Sequence, residues 1–122
     1  MSQLSSAVSL HPYFKIHEGH EDAFLAIMPE FVARTSSEPA CLYYDFSRSG
    51  DVVFCREAYV GAEGILAHLD NVGDLIARFL EHSDMIRLEV HGPEAEIDKL
   101  REPMAAQNPD LFVWQTGLVT GC

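Results

Sequence analysis

The chain has 122 residues, an apolar fraction of 48% and a formal charge of −11 from 19 acidic against 8 basic residues. Such a length holds one domain with one core, and such a composition argues against disorder. The acidity weighs against nucleic acid and anionic membranes as partners, since both need concentrated Lys and Arg, and no apolar run approaches the ~20 residues of a membrane span.

Residues 1–8 read as a disordered lead. They have neither the basic start nor the apolar stretch of a secretory signal, so the cytoplasm is the default location. Leu10, Pro12, Phe14 and Ile16 then alternate with His11, Tyr13, Lys15 and His17, which predicts a strand with one apolar face. Pro12 lacks an N–H, which puts that strand near a sheet edge or gives it an unpaired side there. From Gly19 to Arg34, Phe24, Ile27, Met28 and Phe31 recur at helical spacing, with Pro29 expected to kink the helix or shift its start. Thr35 to Pro39 is a loop. Cys41–Ser47 and Val52–Val60 read as two strands joined through Gly50, which is free to take positive φ.

Ala62–Asn71 and Asp74–His82 read as helices on either side of Gly73. Met85–His91 alternates, with Ile86, Leu88 and Val90 on one face and Arg87, Glu89 and His91 on the other. Pro93 opens a further helix to about Ala106, with Pro103 as its break, and Leu111–Thr116 reads as a last strand. The three cysteines, Cys41, Cys55 and Cys122, include no CxxC pair, which fits reduced thiols and gives no zinc site. The order is β-α-β-β-α-(α)-β with a helix and strand appended. That predicts an α+β fold of the ferredoxin-like split βαβ plan, an antiparallel sheet with helices on one face. Its other face is left for a second copy, so a homodimer is expected.

Val53–Leu69 is the stretch richest in chemistry. It runs from a strand bearing Glu57 and Tyr59 on one face into a helix bearing His68. His68 can act as a proton acceptor near neutral pH, or be an idle helix histidine. Glu57 can orient that imidazole, or be one half of a structural ion pair with a residue such as Arg87. Tyr44, Tyr59 and Phe14 can wall an aromatic pocket, or be plain core. His17 and His20 fall across a strand–helix turn without a third ligand, and read as solvated turn residues. No metal site, GxSxG elbow or glycine-rich phosphate loop is found.

Three motifs carry a family resemblance. Glu38-Pro-Ala-Cys-Leu-Tyr-Tyr-Asp45 resembles the EPGCLxYxL-type second strand of the antibiotic biosynthesis monooxygenase superfamily. Val53-Phe-Cys-Arg-Glu-Ala-Tyr59 resembles its FxxxExW third strand, and Ala62–Leu69 its xExLxxHL helix. The resemblance covers about Ser9 to His91. It implies a family-like unit over residues 9–92, a helix and strand extension over 93–122, and a dimeric α+β barrel. It also implies oxidation of a small phenol or quinol by O2 without metal or flavin, hence no cofactor. His68 and Glu57 would be catalytic, and Tyr59, Tyr44 and Phe14 would bind the substrate. The alternative is a non-catalytic small-molecule-binding or structural homodimer of the same fold. Tyr59 stands where the family usually has Trp. The haem-degrading branch has Trp near position 68 and a ligand histidine near position 78; here these are His68 and Arg78, which argues against haem. Convergence of Glu57, His68 and an aromatic wall on one cavity would favour the enzyme.

Overall fold

In the computed structural model, which describes residues 3–120, alternation in the first strand organises the whole sheet. Strand β1 (Ala7–Ile16) turns Val8, Leu10, Pro12, Phe14 and Ile16 inward. It begins earlier than predicted because Val8 continues the inward alternation, and Gln3–Ser6 form a 3-10 turn ahead of it. Met1 and Ser2 of the expected lead, and Cys122, lie outside the described residues.

Helix α1 is Glu21–Thr35, and strands β2 (Cys41–Ser49) and β3 (Val52–Val60) form a hairpin about Gly50, whose φ is 60°. Helices α2 (Gly61–Asn71) and α3 (Gly73–Leu80) precede β4 (Ser83–Gly92), and α4 (Glu94–Leu100) precedes β5 (Asp110–Val113). The five-stranded sheet has the order β2-β3-β1-β4-β5. All neighbours are antiparallel except β4 and β5, which run parallel through the α4 crossover. The first four strands follow the split βαβ plan, and α4 with β5 extends it at one edge. No helix among the described residues is long and apolar enough to cross a membrane.

Three local details turn on single residues. Pro12 predicted an edge or an unpaired side, and in central β1 it is the unpaired side that is found. The missing N–H is accommodated by a gap in the β1–β3 ladder between the pairs Leu10–Glu57 and Tyr13–Phe54. Pro29 lies inside α1, which continues on both sides of it, at an exposed position. In β4 a bulge opposite Tyr13 and Phe14 takes Ile86 out of the alternation, so Ile86 is 53% exposed and Met85 faces inward instead.

The helices cover one face, over two apolar clusters. One gathers Val8, Tyr59, Ile65, Val90, Ile97 and Leu100; the other gathers Phe14, Phe24, Phe31, Val53, Leu75 and Phe79. Strand β3 passes into α2 at Gly61, with φ of 76°. A Cβ at Gly64 would lie 2.8 Å from that of Tyr59, so only glycine lets α2 sit this close to the strand end. The first turn of α2 is capped from the extension: Ala62 N–H donates to Glu96 Oε1 at 2.8 Å. On the other sheet face a file of rings runs across the strands. Phe112 stacks on His91 at 4.5 Å, His91 meets His11 at 4.6 Å, and Phe54 stacks on Tyr13 at 4.7 Å.

Candidate functional site

Between the two apolar clusters, over the middle of the sheet, lies a cavity of about 280 Å³. Inward positions of β1, β2, β3 and β4 form its floor, and the α2–α3 junction forms part of its roof. Its wall is mostly apolar, with Leu10, Phe14, Phe46, Leu69, Ile76 and Leu88 among the lining residues. The polar groups Tyr44, Cys55, Glu57 and His68 gather on the β2–β3 side. An apolar pocket with a few convergent polar groups is the usual form of a small-molecule site.

Glu57 faces the cavity because β3 alternates Val53, Cys55, Glu57 and Tyr59 toward the helices. It is 2% exposed, and burial pushes its carboxyl up to about 7. Hydrogen bonds from Tyr59 and Cys55 hold that rise back, and the Glu38 charge adds to it. Tyr59 O–H donates to Glu57 Oε1 at 2.5 Å.

His68 is 2% exposed on α2. Its Nδ1 lies 2.8 Å from Glu38 Oε2 and 3.1 Å from Oε1. Glu38 Oε2 also accepts from Asn71 Nδ2 at 2.8 Å. The hydrogen-bond pattern thus assigns the proton of the neutral ring to Nδ1, leaving the Nε2 lone pair 3.3 Å from Glu57 Oε1. Burial lowers the His68 pKa, and the Glu38 carboxylate works against that shift. A proton at this end of the cavity can rest on Glu57 or on Nε2, while Glu38 steadies the ring from behind. That arrangement can give and take a proton.

The structure therefore brings Glu57, His68, Tyr44 and Phe14 to one cavity. The Tyr44 ring lies 5.2 Å from that of His68, and Phe14 packs edge-on to Phe79 at 5.0 Å. Tyr59 is not part of the wall: it is fully buried behind Glu57 and acts through its hydroxyl. The ion pair considered for Glu57 does not form with arginine. Arg87 pairs with Glu89, and Arg56 with Asp45, on the opposite face of the sheet. Arg78 pairs with Glu30 on the surface. His17 and His20 pack edge-to-face at 5.4 Å, His17 hydrogen-bonded to Asp84 and His20 to His82. Among the described residues no three His, Cys, Asp or Glu side chains are grouped to hold a metal ion.

Sequence reasoning missed Glu38, Asn71, Met104 and Gln107. Glu38 stood in plain view within the second-strand motif, but it read as the end of a loop and the extended entry into a strand. Its signal would have been a second carboxylate able to reach the imidazole of His68.

Residues 7–82 match the family model described as antibiotic biosynthesis monooxygenase. No curated protein matches the chain. Among solved structures, MupZ from Pseudomonas fluorescens is similar at 41% identity and a TM-score of 0.90, over 93% of this chain and 94% of its own. A candidate antibiotic biosynthesis monooxygenase from Chloroflexus aurantiacus J-10-fl is 26% identical with a TM-score of 0.60, over 72% of this chain and 93% of its own. Rv0793 from Mycobacterium tuberculosis is 21% identical with a TM-score of 0.64, over 72% and 95%, a likeness of fold alone.

Proposed function

The chain belongs to the antibiotic biosynthesis monooxygenase family, and from that premise we propose that it oxidises a small phenol- or quinol-type molecule with O2, using no metal or organic cofactor. The observation that carries this reading is the Glu38–His68–Glu57 relay, with Nε2 beside a cavity walled by apolar groups.

His68 Nε2 takes the phenolic proton, and the Glu38 carboxylate stabilises the imidazolium. The electron-rich phenolate passes one electron to O2, and the resulting radical pair joins as a peroxide at a ring carbon. His68 returns its proton to the peroxide, neutral Glu57 protonates the outer oxygen as the O–O bond breaks, and the Glu57 carboxylate so formed takes the hydrogen of the peroxide-bearing carbon, so that water leaves, a carbonyl remains and both residues end as they began. Phenol and O2 thus become a quinone and water, one oxygen atom going to each. An apolar wall favours this by keeping water from the anion and the peroxide.

Oxygen uptake with a panel of hydroquinones and naphthols tests the proposal. His68→Ala should lower the rate by at least about 100-fold, with fold and association state unchanged. Equal turnover by His68→Ala across pH 5 to 9 would overturn it.

A second reading draws on Glu57, whose carboxyl is pushed up to about 7 and so is partly neutral at physiological pH. A neutral acid beside a neutral imidazole suits proton transfer on a substrate without oxygen. Product formation that persists under anaerobic conditions would favour it over oxidation.

In either reading the enzyme works as a homodimer in the cytoplasm, with the ring file of the open sheet face as the contact. Sedimentation at micromolar concentration should give twice 13.6 kDa. A folded monomer would remove that contact.

A further inference from the structure

The cavity does not end with the family-matched residues. Met104 and Gln107 also line it, and both lie beyond residues 7–82. Met104 follows α4 and is 1% exposed, packed with Ile97 and Leu100 in the first apolar cluster. Gln107 is exposed on the 3-10 turn Ala105–Gln107, which Asn108 ends in the left-handed region at φ 50°. Helix α4 packs on α2, β4 and β5, and Leu88 of β4 belongs to the same wall as Met104. Glu57 is on β3, two strand spacings from β4, or about 10 Å. Leu88, and Met104 packed in the same cluster, therefore lie on the β4 side of the cavity, while Glu57 lies on its β3 side.

The charge of the wall is as telling as its shape. No Lys or Arg is among the described lining residues, while Glu57 is among them and Glu38 stands directly behind His68. An anionic substrate end would enter with no cation to pair it, and the one carboxyl on the wall, that of Glu57, is at the reacting end. Gln107 offers an uncharged carboxamide that can both donate and accept. Met104 supplies an unbranched, adaptable side chain suited to an aliphatic body.

We propose that Met104 and Gln107 set the length of substrate the site accepts. The substrate class is an elongated, uncharged, largely apolar molecule. Its reacting hydroxyl meets His68 and Glu57, and a distal uncharged polar group hydrogen-bonds to the Gln107 amide. This rests on the reading that reaction occurs at the His68–Glu57 end.

Calorimetric binding of 4-alkylphenols, from methyl to octyl, to the whole chain under nitrogen tests it. Affinity should rise by about fourfold per methylene up to a limiting length and then fall. Met104→Trp should shorten that limit by at least two methylenes, and Met104→Ala should lengthen it. Phenols bearing a terminal hydroxyl on the alkyl chain should bind about tenfold tighter than the plain series near the limit. Gln107→Leu, at an exposed position that folding does not depend on, should abolish that preference. Should the Met104 variants fail to fold, the Gln107 comparison decides alone. A limit that does not move in folded Met104 variants, an absent hydroxyl preference, or no binding by any member overturns the proposal. Oxygen uptake by the same proteins separates the two readings. A limit that moves without oxygen uptake keeps the wall and removes the oxidation, and loss of uptake in His68→Ala with an unmoved limit does the reverse.

Discussion

Two histidine–carboxylate pairs of similar length sit in opposite surroundings in this molecule. His17 Nε2 and Asp84 Oδ1 are 3.0 Å apart at the β1–α1 turn, with side chains 36% and 72% exposed. His68 Nδ1 and Glu38 Oε2 are 2.8 Å apart under α2, with side chains 3% and 10% exposed. The exposed pair exchanges water for a partner at little net gain, ~0–1 kcal/mol. The buried pair leaves water behind, so each proton position on the imidazole is decided by protein groups and not by solvent. Distance alone would call these pairs equivalent. Burial, and the second carboxylate of Glu57 on the far ring nitrogen, is what makes one of them chemistry.

The largest expected effect is on stability and falls on Glu57. Its folded carboxyl titrates at about 7 against a reference of 4.5, so between those pH values the folded chain holds a proton that the unfolded chain has lost. Stability should therefore fall as pH rises from 4.5, reaching a full penalty of about 3 kcal/mol above 7. His68 contributes with opposite sign: its folded pKa lies below 6.5, so its share of stability is lost on acidification below that value. Denaturant unfolding of Glu57→Gln should show the Glu57 slope gone and the variant gaining on the parent between pH 5 and pH 8. An unchanged difference between the two proteins across that range would mean that Glu57 is not the buried acid described.

Next comes Glu38→Gln, which keeps the shape but removes the charge behind Nδ1. Turnover should drop on the order of 10–100-fold. The acidic limb of the pH–rate profile, where His68 gains a proton, should move to lower pH, because the imidazolium loses its counter-charge. A rate loss with an unmoved pH profile would reduce Glu38 to packing. Smallest is Asp84→Asn, the matching change in the exposed pair. It should alter stability by no more than about 0.5 kcal/mol and leave the rate and its pH profile alone. A large effect there would break the comparison, since it would give a solvated pair the weight of a buried one.

Much of this arrangement was legible before any coordinates. Period-two alternation put Glu57 on the inward face of β3, and helical spacing put His68 over it, because both patterns are local and both faces are strongly apolar. Glu38 was not legible as a partner of His68. The two are 30 residues apart, and no periodicity links a turn residue to a helix three elements along. The bulge at Ile86 was hidden for a different reason: an alternating sequence cannot announce the one residue at which pairing slips. Pro12 announced a missing ladder bond but not its place, which is the β3 side of a central strand beside the cavity. The roles of Met104 and Gln107 depended on where a helix broken near Pro103 would turn, and composition does not fix that direction.

The cap that Glu96 places on Ala62 has a bearing on how the chain is made. Strand β1 leaves the ribosome before the other strands, but its two neighbours are β3 and β4, and Ser9 must wait for His91 to complete its pairing. The amide at the start of the His68 helix waits longer still, for a carboxylate on α4. At a synthesis rate of about 5–20 residues per second, the nascent chain spends seconds with its central strand half-paired. A slow, late-closing folding step is the natural result of such long-range pairing, and it makes the last third of the chain a requirement for the first third to settle.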